Sequence, residues 1–261
     1  MHSDFSEFSY GYAVTEELVT KNKAKIIAAP RFPSLYEEGK KGGYDVKIPL
    51  AGKPAFLQFK LSDCLERRNA KEFRNGVLNV PYYRMHLRPA RHSDQHQLLL
   101  DLENSGESVF YIAPEFHLPA ELNQHYLSKS VVAQSAAFAP SDIGPLPDDD
   151  DHYLVFERGQ AHGFFCSEKP KKIQKTILEG GLPLALKTRD VQSRNLGEEG
   201  LKAISEELLG ILESRESKPL KGRKPRDIQG IRNIVGSRST IEGLGYMART
   251  FFNAELVVVP S

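Results

Sequence analysis

The chain has little cysteine. Cys64 and Cys166 are the two in 261 residues, too few for a disulfide framework and in keeping with a reducing cytoplasm. No apolar run approaches the ~20 residues that a membrane-spanning helix needs. The N-terminal residues lack the basic-then-apolar pattern of a secretory signal. These features lead to the expectation of a cytoplasmic protein with no membrane partner. Charge of one sign is also lacking. The formal net charge is +1, so a nucleic-acid surface must be a local patch rather than a whole-molecule field. There is no Gly-rich phosphate loop of the Walker type, no Ser or Cys nucleophile in a recognisable frame, and no internal repeat. What remains is ordinary for a globular chain: 40% apolar and 26% charged residues, in a length that suits one large domain or two small ones.

The informative stretch is Gly43-Tyr44-Asp45-Val46-Lys47-Ile48-Pro49-Leu50 followed by Ala55-Phe56-Leu57-Gln58-Phe59-Lys60. Its alternation predicts an antiparallel hairpin turning at Ala51-Gly52-Lys53-Pro54. Pairing Leu50 with Ala55 sets Ile48 against Leu57, Val46 against Phe59 and Tyr44 against Leu61, all on a buried face. Asp45 then lies across from Lys60, and Lys47 from Gln58. An acid, an amide and an amine on one face are the groups of a metal-dependent phosphodiesterase site. Asp45 is expected to anchor the ion and Gln58 to offer it a neutral oxygen, since Mg²⁺ takes hard oxygen ligands and keeps several waters. Lys60 is expected to orient or help deprotonate the attacking water, or to offset charge developing on the phosphate. Among nearby acids, Glu38 ranks ahead of Glu37, Glu16 and Glu17. The competing reading of the same letters is an amphipathic hairpin with a cross-strand Asp45–Lys60 ion pair, worth only ~0.2–1 kcal/mol.

Asp45 followed by Gln58-Phe59-Lys60 resembles the Asp…(Asp/Glu)-x-Lys motif of the restriction-endonuclease-like superfamily, in the Gln-x-Lys variant of the Mrr type. Gly43-Tyr44-Asp45 is similar to the Gly-x-Asp that often opens it. The departure is Gln58, where most members carry a second acid. The resemblance implies an α/β fold with an αβββαβ core on a mixed sheet. It also implies an Mg²⁺-dependent (or Mn²⁺-dependent) endonuclease acting on DNA rather than RNA, with a role in antiviral defence in a bacterial or phage-related setting. A homo-oligomer or a partner protein of the same system is compatible with it. The alternative is a nuclease-fold protein that has lost catalysis and binds nucleic acid or a protein.

The order of elements fits that core. A helix is expected over Asp4–Thr20, capped by Ser3 or Asp4, and a short strand over Lys25–Ala29. The hairpin follows, then a helix from Ser93 to Asn104 ended by Gly106, and a strand over Ser108–Ala113. The insertion from Leu61 to Arg91 reads as irregular and basic. Its Arg67, Arg68, Arg84 and Arg88, with Tyr82 and Tyr83 among them, are candidates for phosphate contact and base stacking. Residues 1–130 are taken as the nuclease-like core and 131–261 as a C-terminal α+β extension. In the latter, Pro119–Leu127 just before the boundary and Glu198–Leu212 and Ile241–Phe252 beyond it read as helices. Tyr153–Glu157 with Gly163–Cys166 reads as a hairpin around Gly159, and Glu255–Val259 as a strand. Pro140–Asp151 reads as a loop whose four aspartates are solvated. Glu213–Arg226 is a basic exposed segment. His92 and His96 have the i, i+4 spacing of a zinc pair without the neighbouring Glu of a metalloprotease, and read as boundary residues.

Overall fold

The structure is a computed structural model that describes residues 1–21, 52–167, 169–176, 197–216, 227–252 and 254–260. Among these it forms two sheets. The first is mixed, built on β1 (Gly52–Phe59). The second contains β2 (Asp63–Leu65) and β3 (Tyr82–Leu87). Helix α1 (Glu7–Lys21) precedes β1, and the short α2 (Lys71–Arg74) lies between β2 and β3. The chain continues as α3 (Gln95–Asn104), β4 (Ser108–Pro114), α4 (Pro119–Leu127), β5 (Ser135–Phe138) and α5 (Pro140–Ile143). Then come β6 (His152–Phe156), β7 (His162–Cys166), β8 (Lys171–Gln174), α6 (Glu198–Glu216), α7 (Ile228–Gly236), α8 (Thr240–Phe252) and β9 (Glu255–Pro260). Strand order is β5-β4-β1-β9 in the first sheet and β2-β3-β6-β7-β8 in the second.

The first sheet explains its own sequence. β1 and β4 run parallel, with Gln58 beside Tyr111 and Phe59 beside Ile112. A parallel pair covered on both faces carries apolar residues in both alternating sets, and every residue of β4 is buried. Val109, Tyr111 and Ala113 join Phe56 on one face, against α3, α6, α8 and the inner side of the second sheet. Phe110 and Ile112 join Leu57 on the other, under Tyr10, Ala13, Val14 and Leu18 of α1. Each such fully buried Leu or Phe side chain contributes ~1.5–3 kcal/mol. Gly106, at φ 103°, turns the chain from α3 into β4. Helix α3 therefore runs back along β4, and its first turn sits at the carboxyl end of β1 and β4.

Several expectations change. Gly52, Lys53 and Pro54 belong to β1 rather than to a turn. The hairpin register is excluded over Ala55–Leu57, because those residues already pair with β4 on one side and with Val257, Leu256 and Glu255 of β9 on the other. A run of β-branched Val257-Val258-Val259 makes a strong strand, and it fills the edge assigned to residues 48–50. The stretch 43–50 and the Lys25–Ala29 strand lie outside the described residues. The Leu61–Arg91 insertion is not irregular: Tyr83, Met85 and Leu87 of β3 point into the main core. The first helix is capped by Ser6, whose Oγ accepts from the Ser9 amide at 3.0 Å, rather than by Ser3 or Asp4. Strands from before and after residue 130 share both sheets.

A buried ion pair locks the two sheets together. Lys175, just past β8, donates to Oε1 of Glu115, just past β4, and both are nearly solvent-free. Glu115 Oε2 also accepts from the Gly159 amide at 3.0 Å, in the β6–β7 turn.

Close packing predicts opposite outcomes for two glycines. A Cβ on Gly163 of β7 would lie 2.8 Å from the Val155 carbonyl oxygen and 3.1 Å from the Phe138 ring, whereas one on Gly210 of α6 meets nothing within 4 Å. Urea denaturation is expected to show Gly163→Ala losing ~1–3 kcal/mol and Gly210→Ala gaining ~0.5–1 kcal/mol.

Candidate catalytic site

The carboxyl end of β1 holds two polar residues on one face. Gln58 is 1% exposed. Its Nε2 donates to the Phe59 carbonyl at 3.0 Å, while its Oε1 is buried with no hydrogen-bond partner among the described residues. Beside it on β4, the Tyr111 hydroxyl lies 2.9 Å from His96 Nδ1. His96 Nε2 lies 2.8 Å from the Gly144 carbonyl. A carbonyl only accepts, so Nε2 carries the proton and Nδ1 accepts from the Tyr111 hydroxyl. Burial lowers the His96 pKa and keeps the ring neutral.

Lys60 continues the parallel ladder, its amide donating to the Ile112 carbonyl at 3.0 Å. Its Nζ makes a long hydrogen bond, 3.4 Å, to Oε1 of Gln95, the first residue of α3. Burial lowers the ammonium pKa, the Glu7 carboxylate pulls it back up, and Arg88 lowers it further. Desolvation in turn raises the Glu7 carboxyl, opposed by Lys60 and Arg88. A lysine kept partly dry, with no carboxylate in ion-pair contact among the described residues, loses its proton more readily than a surface lysine.

Asp45 and Glu38 lie outside the described residues, so of the four residues assigned to catalysis the structure describes Gln58 and Lys60. Arg88 is exposed and within electrostatic reach of Lys60. Arg67 and Arg68 are exposed in the turn after β2. Arg84 stands on the outer side of the second sheet, 3.9 Å from the Glu72 carboxylate and with its guanidinium 4.9 Å from the centre of the Tyr153 ring. Tyr82 and Tyr83 are buried and present no ring for base stacking. Tyr82 donates to Glu72 at 2.5 Å, and Tyr83 stacks on Phe156. The other acids weighed on α1 are engaged elsewhere. Glu16 accepts from Thr20, and Glu17 accepts from Lys21 and from the Val132 amide. His92 accepts from Arg91 Nε at 3.0 Å while His96 is saturated, so the two do not form a zinc pair.

Glu7 and Gln95 are the polar neighbours of Lys60 that sequence reasoning missed. Gln95 was findable. A helix ending one short turn before β4 must begin where the parallel partner of β4 ends. Glu7 had no such signal, since its place depends on how α1 crosses the sheet.

A second polar cluster lies just beyond the same strand ends. Cys64 of β2, Glu66 and His117 each bring one potential metal-ligating atom within 4.8 Å of the others. Cys64 is 2% exposed and His117 7%, while Glu66 is exposed. Neither ring nitrogen of His117 has a hydrogen-bond partner. Each such orphaned polar atom costs ~1–3 kcal/mol. Burial raises the Cys64 thiol pKa, and Glu66 raises it further.

The lowered Lys60 pKa has a definite sign for stability. An ammonium whose folded pKa lies below its unfolded value of ~10.4 weakens the fold at neutral pH. The penalty is relieved as pH climbs through the folded pKa toward the unfolded one. Lys60→Met is therefore expected to raise the melting temperature at pH 7, with the gap to wild type closing toward pH 10. A melting temperature lowered at pH 7 would mean that the ammonium stabilises the fold.

No protein-family model, curated protein or solved structure matches this chain.

Proposed function

We propose that the chain is a metal-dependent nuclease that hydrolyses phosphodiester bonds, DNA in preference to RNA, on a restriction-endonuclease-like αβββαβ core. The observation that carries this reading is Lys60: a desolvated amine with lowered basicity at the end of a central strand, two residues beyond an amide oxygen with no partner. The parallel β1–α3–β4 arrangement supports it, because α3 presents Gln95 to the Lys60 Nζ. The orphaned Gln58 Oε1 is of the donor type that Mg²⁺ or Mn²⁺ accepts, and Asp45, with Glu38, would complete the oxygen set. When bound, the cation supplies charge stabilisation at phosphorus and lowers the pKa of an attacking water. Lys60 Nζ would orient that water and, in its neutral form, take up its proton, while the ammonium form would offset charge developing on the phosphate; burial shifts the balance toward the neutral form. Gln95 Oε1 orients Nζ. Arg88, with Arg67 and Arg68, offers exposed guanidinium groups for backbone phosphates. Defence against foreign DNA is the biological setting consistent with this activity.

One observation favours the alternative of a nuclease-fold protein that binds nucleic acid or a protein without cutting. Gln58 Oε1 is buried with its side chain, and an ion has to reach it. Supercoiled-plasmid nicking with Mg²⁺ or Mn²⁺ separates the readings. The nuclease predicts cutting by wild type and a rate lowered ~10²–10³-fold in Lys60→Ala, the scale of losing one charge-stabilising group. It predicts a comparable loss in Asp45→Ala. Cation-independent binding without cutting establishes the alternative. Nicking that survives both substitutions removes Lys60 and Asp45 from the chemistry.

A further inference from the structure

We propose that Cys64, Glu66 and His117 form a binding site for one divalent cation of the Zn²⁺ type, separate from the Mg²⁺ chemistry assigned to β1. The argument begins with His117. Its ring is more than nine-tenths buried, yet neither nitrogen makes a hydrogen bond among the described residues. Buried imidazoles ordinarily satisfy both nitrogens, as His96 does in the same molecule. The atoms that face His117 instead are a thiol and a carboxylate, with one ligating atom of each residue within 4.8 Å of the others. Zn–S, Zn–N and Zn–O bonds of ~2.0–2.3 Å in a tetrahedron put ligand atoms somewhat closer together than this. The exposed Glu66 side chain has the freedom to close the difference.

The donor set selects the metal. A thiolate and an imidazole suit Zn²⁺ or Co²⁺ and do not suit Mg²⁺, which takes oxygen. On binding, the Cys64 thiol gives its proton to solvent and the sulfur lone pair to the metal, while neutral His117 donates a ring-nitrogen lone pair. Three protein ligands would leave a fourth position for water, and Glu66 is exposed to solvent.

Outer contacts support the same assignment. Glu121 Oε2 accepts from the His117 amide at 3.0 Å and lies 3.6 Å from His117 Nδ1, too far for a hydrogen bond but a negative charge held beside the ring. The cation would join two parts of the fold that the backbone does not pair. Cys64 sits in β2 of the second sheet, and His117 lies in the connection from β4 to α4, in the first. Residues at the start of the chain already bridge the two. The Asp4 amide donates to the His117 carbonyl at 2.9 Å, and the Met1 amine donates to the Cys64 carbonyl.

The test uses tag-free, chelator-treated, full-length protein titrated with Co²⁺. Wild type is expected to develop the visible bands of a tetrahedral complex and a near-ultraviolet thiolate-to-cobalt band, saturating at one cation per chain and displaced by Zn²⁺. Cys166→Ser is expected to keep both and Cys64→Ser to lose the thiolate band. Glu66→Gln alters an exposed side chain and leaves folding intact, so it decides the matter if Cys64→Ser fails to fold; its affinity is expected to fall at least tenfold. Zn²⁺ is expected to raise the melting temperature of wild type but not of His117→Gln. Lys60→Ala is expected to bind Zn²⁺ as wild type does, which keeps this result distinct from that of the nuclease assay. A folded wild type with no thiolate band overturns the proposal, as does a band that survives in Cys64→Ser or unchanged affinity in Glu66→Gln.

Discussion

Strand β1 is hydrogen-bonded along both edges, parallel to β4 and antiparallel to β9, and the rest of the molecule is organised by that double pairing. One edge brings in α3, because the chain must run back along the sheet to enter β4 parallel to β1. The other edge is closed by the last strand. With both edges occupied, the two faces of β1 differ only in what covers them. Leu57 lies under α1, whereas Phe56 and Gln58 point into the core shared with the second sheet. A polar side chain in that position is dry because the strand is central, and Lys60, one step past the last strand residue, is only partly dry. The contrast between the two follows from where the strand ends.

Local elements were legible wherever one physical signal dominated. Pro119 at the first helical position, with Glu121 accepting from the His117 and Leu118 amides, marks α4 to the residue. The apolar stripe of α6 and the positive φ at Gly159 (71°) between β6 and β7 are equally local. The elements that escaped notice have mixed or weak signals. In β3, Arg84 and His86 alternate with Tyr83 and Met85, and the density of arginine in the surrounding segment hides the period of two. Strand β5 is Ser-Ala-Ala-Phe, with small residues of low strand propensity. Strand β8 carries Lys171 and Lys172 on a sheet edge, where charge guards against further pairing. The partner of β1 was beyond reach for a different reason. Gly52 and Pro54 are turn residues by any local rule, and only the competition from a distant valine run keeps them extended.

The candidate sites were legible to different depths. Gln58 and Lys60 announce themselves by spacing, and their shared face follows from strand geometry. What spacing could not supply is the environment that changes their chemistry: the Gln95 amide from a later helix, Glu7 from α1 and Arg88 from the end of β3. Cys64 and His117 read as isolated residues in the sequence, because their meeting depends on the ends of β2 and β4 converging. Both places share one property. Each holds a buried polar atom without a hydrogen-bond partner among the described residues, a property that Arg84 Nε, Ser108 Oγ and His152 Nδ1 share; what sets the two places apart is the group beside the atom, Lys60 at one and the Cys64 thiol at the other.

The place of β9 has a consequence for the integrity of the sheet. Ala254, between α8 and β9, is buried in the main core and Leu256 of β9 packs against that core, so loss of β9 through a proteolytic cut in that connection would open the core as well as the edge of β1. The unzipped edge of β1 would then offer a row of free amides and carbonyls to any extended chain, including another molecule's own Val257-Val258-Val259 segment. Nicked material would be prone to strand exchange and to templated association, beginning beside Lys60.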